Sequence, residues 1–490
     1  MAEGGLQINS NQNPRVTWEG CSVLLDINDG DRLVFARLSP ASTLKIGDKK
    51  CLLQPLIGCP FGSLFQVETG SKGPYLSRIL AATAGDIQQE KVEFQLKEEP
   101  KDNRALVDDN TAQNLSGEDI DEMRRQGASG DQIIEALIAN SSTFGKKTLF
   151  SQEKYRLRKQ KKYAPRVLLR RPFARSISEA YFKKYPARIG FLRTDVLSLL
   201  LSMANVSSYS DVLVVDMVGG ILTGAVAERL GGTGYVCNTY FGVTPYPMDI
   251  VGIFNFNNEI CSRIIRFPLS ELSLAKNNNS EQPEQEENAM SLEFQLNADE
   301  AALSTTCVSS SGSLSISEEQ INQQETPDLC SDSVNNKEAA PLPQNLMSSM
   351  HVSMDGIDAS SVTKACKSTK PGKKATQEAI NSWKQNGFSS LIIAAPELDP
   401  WTVAQELLPH LSYSAPFAIY HQYLQPLATC MHNLQTARMA IGLQISEPWL
   451  REYQVVLPSR THPCMQMSGF GGYILSGIRI CSSEIEQQTK

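Results

Sequence analysis

Short apolar runs alternate with amphipathic stretches along the chain from residue 211 onward. The runs have the length of buried strands, and the stretches between them have the spacing of helices. The predicted strands are residues 212–216, 235–240, 264–267, 391–395 and 417–421, with helices at 223–230 and 403–411 and a long apolar pairing between 442 and 480. Repetition of strand and helix predicts an α/β fold with a doubly wound parallel sheet.

The first hundred residues follow a different pattern, which predicts a small β-rich domain over residues 15–100. Apolar runs at 22–26, 33–38 and 64–67 are separated by turn residues such as Asp29 and Gly30. Short strands broken by Gly and Asp are typical of antiparallel sheets.

A helical segment is predicted next, over residues 111–203. Two helix starts carry capping chemistry, Ser116 with Asp119 and Ser129 with Gln132. In both pairs, the serine hydroxyl can accept from the backbone N–H three residues later, and the side chain at that position can accept from the backbone N–H of the serine. A third helix is predicted at 149–163, where charges surround nearly the whole circumference, so no face can be buried cheaply.

Charge separates sharply along this chain of 490 residues. Residues 146–193 hold sixteen Lys and Arg against two Glu, whereas the whole chain has a formal net charge of −7, so the remainder carries −21. Such a block is suited to an anion, and nucleic acid is the densest polyanion in a cell. The candidate RNA-binding residues are Lys154, Arg156, Arg158, Lys159, Lys161, Lys162, Arg170 and Arg171. The alternative is a solvated helix that also serves as a nuclear localisation signal.

Residues 277–375 interrupt the α/β alternation with a run rich in Ser, Asn, Gln and Glu. Such a composition cannot form a packed core, so a disordered acidic insertion is predicted. It divides the α/β domain into residues 205–276 and 376–482. We expect neither a leader nor a membrane span, and the eleven scattered cysteines suggest reduced thiols in the nucleus or cytosol.

The loop after the first α/β strand departs from a nucleotide-binding pattern. An acidic residue followed by glycines at alternate positions would let the backbone approach a cofactor. Asp216 supplies the acid, but only Gly220 falls on the alternation, because Val218 and Leu222 stand at the other positions. No Asp or Glu occurs between residues 229 and 248 to bind a ribose. The sequence therefore predicts that this chain binds no such cofactor.

Two long stretches carry a resemblance to a known family. Residues 115–144 read LSGEDIDEMRRQGASGDQIIEALIANSSTF and are followed by KYRLRKQKKY, and residues 446–477 read SEPWLREYQVVLPSRTHPCMQMSGFGGYILSG. They resemble the non-catalytic subunit of the eukaryotic tRNA N1-methyladenosine methyltransferase. The resemblance implies a degenerate Rossmann-like methyltransferase domain that has lost its cofactor site. It also implies a nuclear protein that binds tRNA and pairs with a catalytic paralogue as a two-plus-two heterotetramer acting on the tRNA T loop.

The resemblance also assigns residues. The catalytic paralogue, which is expected to hold S-adenosylmethionine, ends its fourth strand with an aspartate, and Pro396 takes that place here unless the alignment slips to Glu397 or Asp399. Arg460, in a predicted turn near the end of the sheet, is a further candidate for contact with tRNA or the partner. His462 in the same turn is more typical of a hydrogen-bonded turn residue than of a catalytic one.

Two other functions remain open from the sequence. In one, the chain binds S-adenosylmethionine through an altered loop and methylates RNA itself. In the other, it is an RNA-associated scaffold that recruits proteins through the acidic insertion. No spacing of His or Cys suggests a metal site, and no catalytic residue is assigned to this chain.

Overall fold

The computed structural model describes residues 15–70, 73–79, 112–273, 370–456 and 460–481. The predicted acidic insertion, 277–375, lies almost entirely outside the described residues. The strands are β1 (Ser22–Ile27), β2 (Arg32–Arg37), β3 (Thr43–Ile46), β4 (Lys49–Leu52), β5 (Leu64–Gly70), β6 (Gly73–Ile79), β7 (Arg166–Arg170), β8 (Asp211–Asp216), β9 (Tyr235–Tyr240), β10 (Ile264–Pro268), β11 (Lys373–Lys374), β12 (Ser390–Ala394), β13 (Pro416–His421), β14 (Ala440–Ser446), β15 (Tyr453–Val456), β16 (Arg460–Pro463) and β17 (Tyr473–Arg479).

The described α-helices are α1 (Gly117–Arg125), α2 (Gly130–Ala139), α3 (Leu149–Tyr163), α4 (Ala174–Lys184), α5 (Thr194–Met203), α6 (Ile221–Leu230), α7 (Asn258–Ser262), α8 (Ser270–Ser273), α9 (Gln377–Asn386), α10 (Pro400–Leu407) and α11 (Leu424–Thr436). Both predicted capping boxes are confirmed. The hydroxyls of Ser116 and Ser129 accept from the backbone three residues later, and the Asp119 and Gln132 side chains accept in return.

The first sheet is antiparallel, in the order β2-β1-β7-β5-β6. Its central strand, β7, comes from the basic segment for which the sequence suggested only helices. The pattern of β7 explains this difference, since Val167 and Leu169 are buried while their neighbours are partly exposed. This period of two is that of a strand with one face on a core. The helices α1 to α3 are therefore inserted between two strands of one sheet.

The second sheet has the order β11-β10-β9-β8-β12-β13-β17-β14 and is parallel except for β17, which runs against both neighbours. Val212 and Val214 of β8 face one core with α4, α5 and α6, and Leu213 and Val215 face the other with α9, α10 and α11. Helices thus cover both faces, which confirms the predicted doubly wound sheet.

The two sheets are joined by specific contacts. The Asn255 amide accepts from the backbone N–H of Ser22 at 2.7 Å and donates to the Ser22 carbonyl at 2.7 Å. The rings of Phe35 and Tyr181 lie 5.4 Å apart. Strand β2 and helix α4 therefore share a packed boundary.

Candidate nucleic-acid interface and closed cofactor loop

Asp216, the acidic residue at the end of β8, is committed to its own loop. One carboxylate oxygen accepts from the N–H groups of Val218 and Gly220 at 3.0 and 3.1 Å. The other accepts from the N–H and hydroxyl of Thr223 at 2.7 and 2.8 Å. Burial raises the pKa of this carboxyl, and these four donors oppose the rise. The side chain is 1% exposed, so it faces the loop rather than a ligand.

The space beside this loop is filled by side chains from the segment after β9. A Cβ built on Gly219 would lie 2.9 Å from Ile250 Cδ1, and one on Gly220 would lie 2.7 Å from Met248 Cα. Both glycines have positive φ, so the turn keeps its tight geometry even though protein atoms occupy its outer side.

The two residues that interrupt the glycine pattern are part of the core. Val218 and Leu222 are both fully buried. A Cβ on Gly190 would lie 2.9 Å from Val218 Cγ1 and 3.2 Å from Pro396 Cγ, so these three residues meet at the end of the sheet. The sequence predicted that Val218 and Leu222 would obstruct a ligand, but it did not indicate that residues 248–254 close the same space.

The neighbouring strand ends also lack the groups that S-adenosylmethionine requires. Strand β9 ends at Tyr240, whose ring lies 5.9 Å from the Arg266 guanidinium, so a cation stands where a ribose would need a carboxylate. After β12, Asp399 caps α10 by accepting from the N–H and hydroxyl of Thr402 at 2.9 and 2.8 Å. Glu397 is exposed. The residues present do not fit the cofactor.

The basic helix α3 has the predicted bounds and carries six of the candidate RNA-binding residues. Lys154, Arg156, Arg158 and Lys162 are exposed, and within the described ranges none of them forms an ion pair. Lys161 pairs with Asp31 at 2.7 Å, in an arrangement where both side chains stay accessible. The helix therefore presents several cations to solvent.

Tyr155 organises part of this basic surface. The Nζ atoms of Lys147 and Lys159 and the Arg158 guanidinium lie 5.8, 5.2 and 6.0 Å from its ring centroid. Burial lowers the pKa of Lys159, and the adjacent charges of Arg158 and Lys162 lower it further. A cluster of like charges around an aromatic ring is relieved when an anion binds.

The last two basic candidates, on and beside β7, differ in their surroundings. Arg170 donates to Asp26 at 3.2 Å and to Glu179 at 3.3 Å and is partly buried, so its charge is balanced inside the protein. Arg171 is exposed. Burial raises the pKa of Glu228, and the positive charge of Arg171 opposes that rise.

Arg193, at the end of the basic block, has a structural role that the sequence did not reveal. It is 5% exposed and forms two hydrogen bonds with Asp195, at 2.7 and 2.9 Å. Its remaining donors reach the carbonyls of Pro448, Ser468 and Phe470 at 2.7 to 3.2 Å. The side chain therefore fixes both ends of the segment that contains β15 and β16.

Arg460 and His462 lie in β16, so the prediction of a turn is wrong. Strand β16 pairs antiparallel with β15, with Arg460 opposite Val456 and His462 opposite Gln454. Both strands contain β-branched residues alternating with polar ones, which is the pattern of paired antiparallel strands. His462 Nδ1 lies 2.6 Å from the Pro463 carbonyl oxygen.

Several large apolar side chains on and beside this hairpin are exposed. Trp449, Val455 and Met465 are 80%, 70% and 78% exposed, and Tyr453 is 59% exposed. Exposed aromatic and apolar side chains gathered in one segment are typical of protein interfaces. In the parts of the chain that the structure describes, no helix is long and apolar enough to cross a bilayer, and no cluster of His, Cys, Asp or Glu could hold a metal.

The fold and the loop define a class, a doubly wound α/β domain whose loop after the first strand of the sheet is closed by the protein's own atoms. Residues 18–300 match the model of the Gcd10p family. A protein of Dictyostelium discoideum named tRNA (adenine(58)-N(1))-methyltransferase non-catalytic subunit is 33% identical over 94% of this chain and 79% of its own length. The protein of Mus musculus with the same description is 29% identical over 94% and 89%. The chain belongs to the Gcd10p family.

Two solved structures align with most of this chain at low sequence identity. A Thermotoga maritima SAM-dependent O-methyltransferase aligns with a TM-score of 0.44 and 10% identity, over 96% of this chain and 98% of that chain. The tRNA (m1A58) methyltransferase TrmI of Aquifex aeolicus aligns with a TM-score of 0.39 and 10% identity, over 95% and 100%.

Proposed function

We propose that this chain is the non-catalytic, tRNA-binding subunit of a methyltransferase that forms N1-methyladenosine in the tRNA T loop. The observation that carries the proposal is the loop after β8, which is closed by Met248 and Ile250. A chain with this loop binds no S-adenosylmethionine, so a catalytic paralogue must hold it. The names of the relatives support the same division between subunits.

The chain's part in the reaction is to position tRNA. Adenine N1 takes part in base pairing, so the base must be unpaired and turned out before it can be modified. Contacts to phosphates hold the RNA in place without reading its sequence. The exposed cations of α3, together with Arg171 and Arg460, are the residues that we assign to this role, and the N-terminal sheet lies beside α3 through the Lys161–Asp31 pair.

We propose that the catalytic paralogue binds at the end of the second sheet. The apolar side chains around β15 and β16 support this assignment, and β14 is the edge strand of the sheet among the described residues, with Ile441 55% exposed. Because Arg193 fixes this region, the surface is organised before the partner binds. Two copies of each subunit would form the heterotetramer, and the basic block would also direct the protein to the nucleus.

Co-expression with the catalytic paralogue tests partner, stoichiometry and activity together. We expect a complex with two copies of each chain that methylates tRNA, whereas neither chain alone is active. Methylation by this chain alone, or equal activity of the paralogue without it, would refute the proposal.

Two alternative functions are tested separately. Calorimetric titration of S-adenosylmethionine into this chain should give no heat of binding, whereas micromolar affinity would favour the enzyme. Deletion of residues 277–369, which keeps β11 in place, should leave methylation intact, whereas loss of methylation would favour a scaffold that acts through the insertion.

A further inference from the structure

A cavity of about 480 Å³ opens at the carboxyl edge of β9, β10 and β11. It is lined by the ends of these strands and by the loops that follow them, including Tyr240, Pro245, Arg266 and Pro268. Crevices at the carboxyl ends of parallel strands are where α/β sheets bind ligands, and this volume is in the range of small-molecule sites. The cavity adjoins the closed loop after β8, because a Cβ on the lining residue Gly372 would lie 3.2 Å from Met248 Sδ.

Two cations stand side by side in the wall of this cavity. Arg266 of β10 and Lys374 of β11 are paired in register, so both side chains lie on one face of the sheet. Lys374 forms an ion pair with Glu271 at 3.2 Å, and the Lys374 side chain is 77% exposed. The charged residues of the lining are Arg266, Lys374 and Glu271, so two positive charges face one negative charge and the cavity carries a net positive charge.

The polar atoms of Arg266 are incompletely used. Among the described residues, its buried Nε and Nη2 atoms have no hydrogen-bond partner, and neither does the buried Oε2 atom of Glu271 in the same wall. The Nε and Nη2 atoms form one edge of the guanidinium, the fork that binds phosphate or carboxylate through two parallel hydrogen bonds. Unpaired buried donors are costly and uncommon, which indicates that an acceptor belongs at this position. Burial also lowers the pKa of Arg266, and interactions with Tyr240 and Asp216 oppose that fall.

The other walls are flat and apolar. The ring of Tyr240 lies against the Arg266 guanidinium, and Pro245 and Pro268 complete the surface. Aromatic faces of this kind stack on nucleobases. We propose that the cavity binds a nucleoside monophosphate group, with the phosphate on Arg266 and Lys374 and the base or sugar against Tyr240.

The test is a calorimetric titration of the full chain, in complex with its catalytic partner, with uridine 5′-monophosphate. A pyrimidine avoids the adenosine site expected on the partner. We expect binding that inorganic phosphate and uridine do not reproduce. Arg266→Gln should weaken it about 10- to 100-fold, since a charge-assisted hydrogen bond is lost. Lys374→Gln should weaken it several-fold, and Lys384→Gln on α9 should leave it unchanged.

The melting temperature of the Arg266→Gln variant shows whether it is folded. If it is not, the Lys374→Gln variant tests the inference, because the Lys374 side chain is exposed. Absence of binding at millimolar nucleotide, or equal affinity of both cavity variants and the parent, would overturn the inference.

Competition by tRNA then identifies the source of the nucleotide. Displacement of uridine 5′-monophosphate by tRNA assigns the cavity to a nucleotide of the RNA, which rests on the proposed function. Unchanged binding in the presence of tRNA assigns it to a free nucleotide. If substitutions in α3 weaken tRNA binding while no nucleotide binds the cavity, this inference alone fails.

Discussion

Removal of three exposed cations from α3 should change how tRNA binding depends on salt. The variant combines Lys154→Gln, Arg156→Gln and Lys162→Gln, which lie within a helix of 15 residues, about 22 Å long. Double-stranded nucleic acid carries one charge per about 1.7 Å of axis, so a helix of this length can face several phosphates. None of the three residues forms an ion pair in the described parts of the chain, so little stability should be lost.

The magnitude follows from counterion release. Each neutralised phosphate contributes about 0.9 to the slope of log affinity against log salt, so the variant should lose up to about 2.7 from that slope. Between 50 and 200 mM salt, the parent should therefore lose about 40-fold more affinity than the variant. The assay is fluorescence anisotropy of labelled tRNA with the purified complex across this range.

A matched control removes the same number of charges elsewhere, with Arg229→Gln, Lys384→Gln and Arg438→Gln. Its slope should equal that of the parent. Arg170→Gln is a second control, because Arg170 is already paired with Asp26 and Glu179. An unchanged slope in the α3 variant would show that this helix does not contact phosphate, and only a localisation role would remain for its charges.

Three further predictions concern buried residues around the second sheet. Arg193→Met leaves buried acceptors unpaired and should lower the free energy of unfolding by about 3 to 5 kcal/mol in denaturant titrations, and a loss below 1 kcal/mol would contradict the anchoring role. Gly224→Ala places a Cβ into the Phe254 ring and should cost about 1 to 3 kcal/mol, whereas Gly252→Ala, with open space beside it, should be neutral. Burial raises the pKa of Cys430 to about 12, so iodoacetamide at pH 8 should label it only after unfolding, and rapid labelling of Cys430 itself in the native protein, located by peptide mass spectrometry, would refute this.

The sequence predicted the elements whose signals are local. Helix α3 has the expected bounds, and the hydroxyl of Ser129 caps α2 as its spacing with Gln132 indicated. Strand β9 also spans the predicted residues. These signals need only neighbouring residues, because caps and apolar runs act within one or two turns of chain.

Other features depended on distant residues and could not be predicted. Closure of the loop after Asp216 needs Met248 and Ile250, which follow the next strand, and nothing near them marks that contact. The sequence places Arg193 only in a basic block, because the carbonyls to which it donates lie more than 250 residues further along the chain. The same limitation hid the cavity at Arg266, whose second cation, Lys374, lies at the end of the stretch that was predicted to be a disordered insertion.

The position of β7 at the centre of the first sheet has a consequence for biosynthesis. Strand β1 is paired with β7 along one edge, and β5 is paired with it along the other. The sheet cannot close until Arg170 has left the ribosome, by which time the whole basic segment has already been made. A fragment that ends at residue 110 would expose both inner strand edges and should aggregate rather than fold.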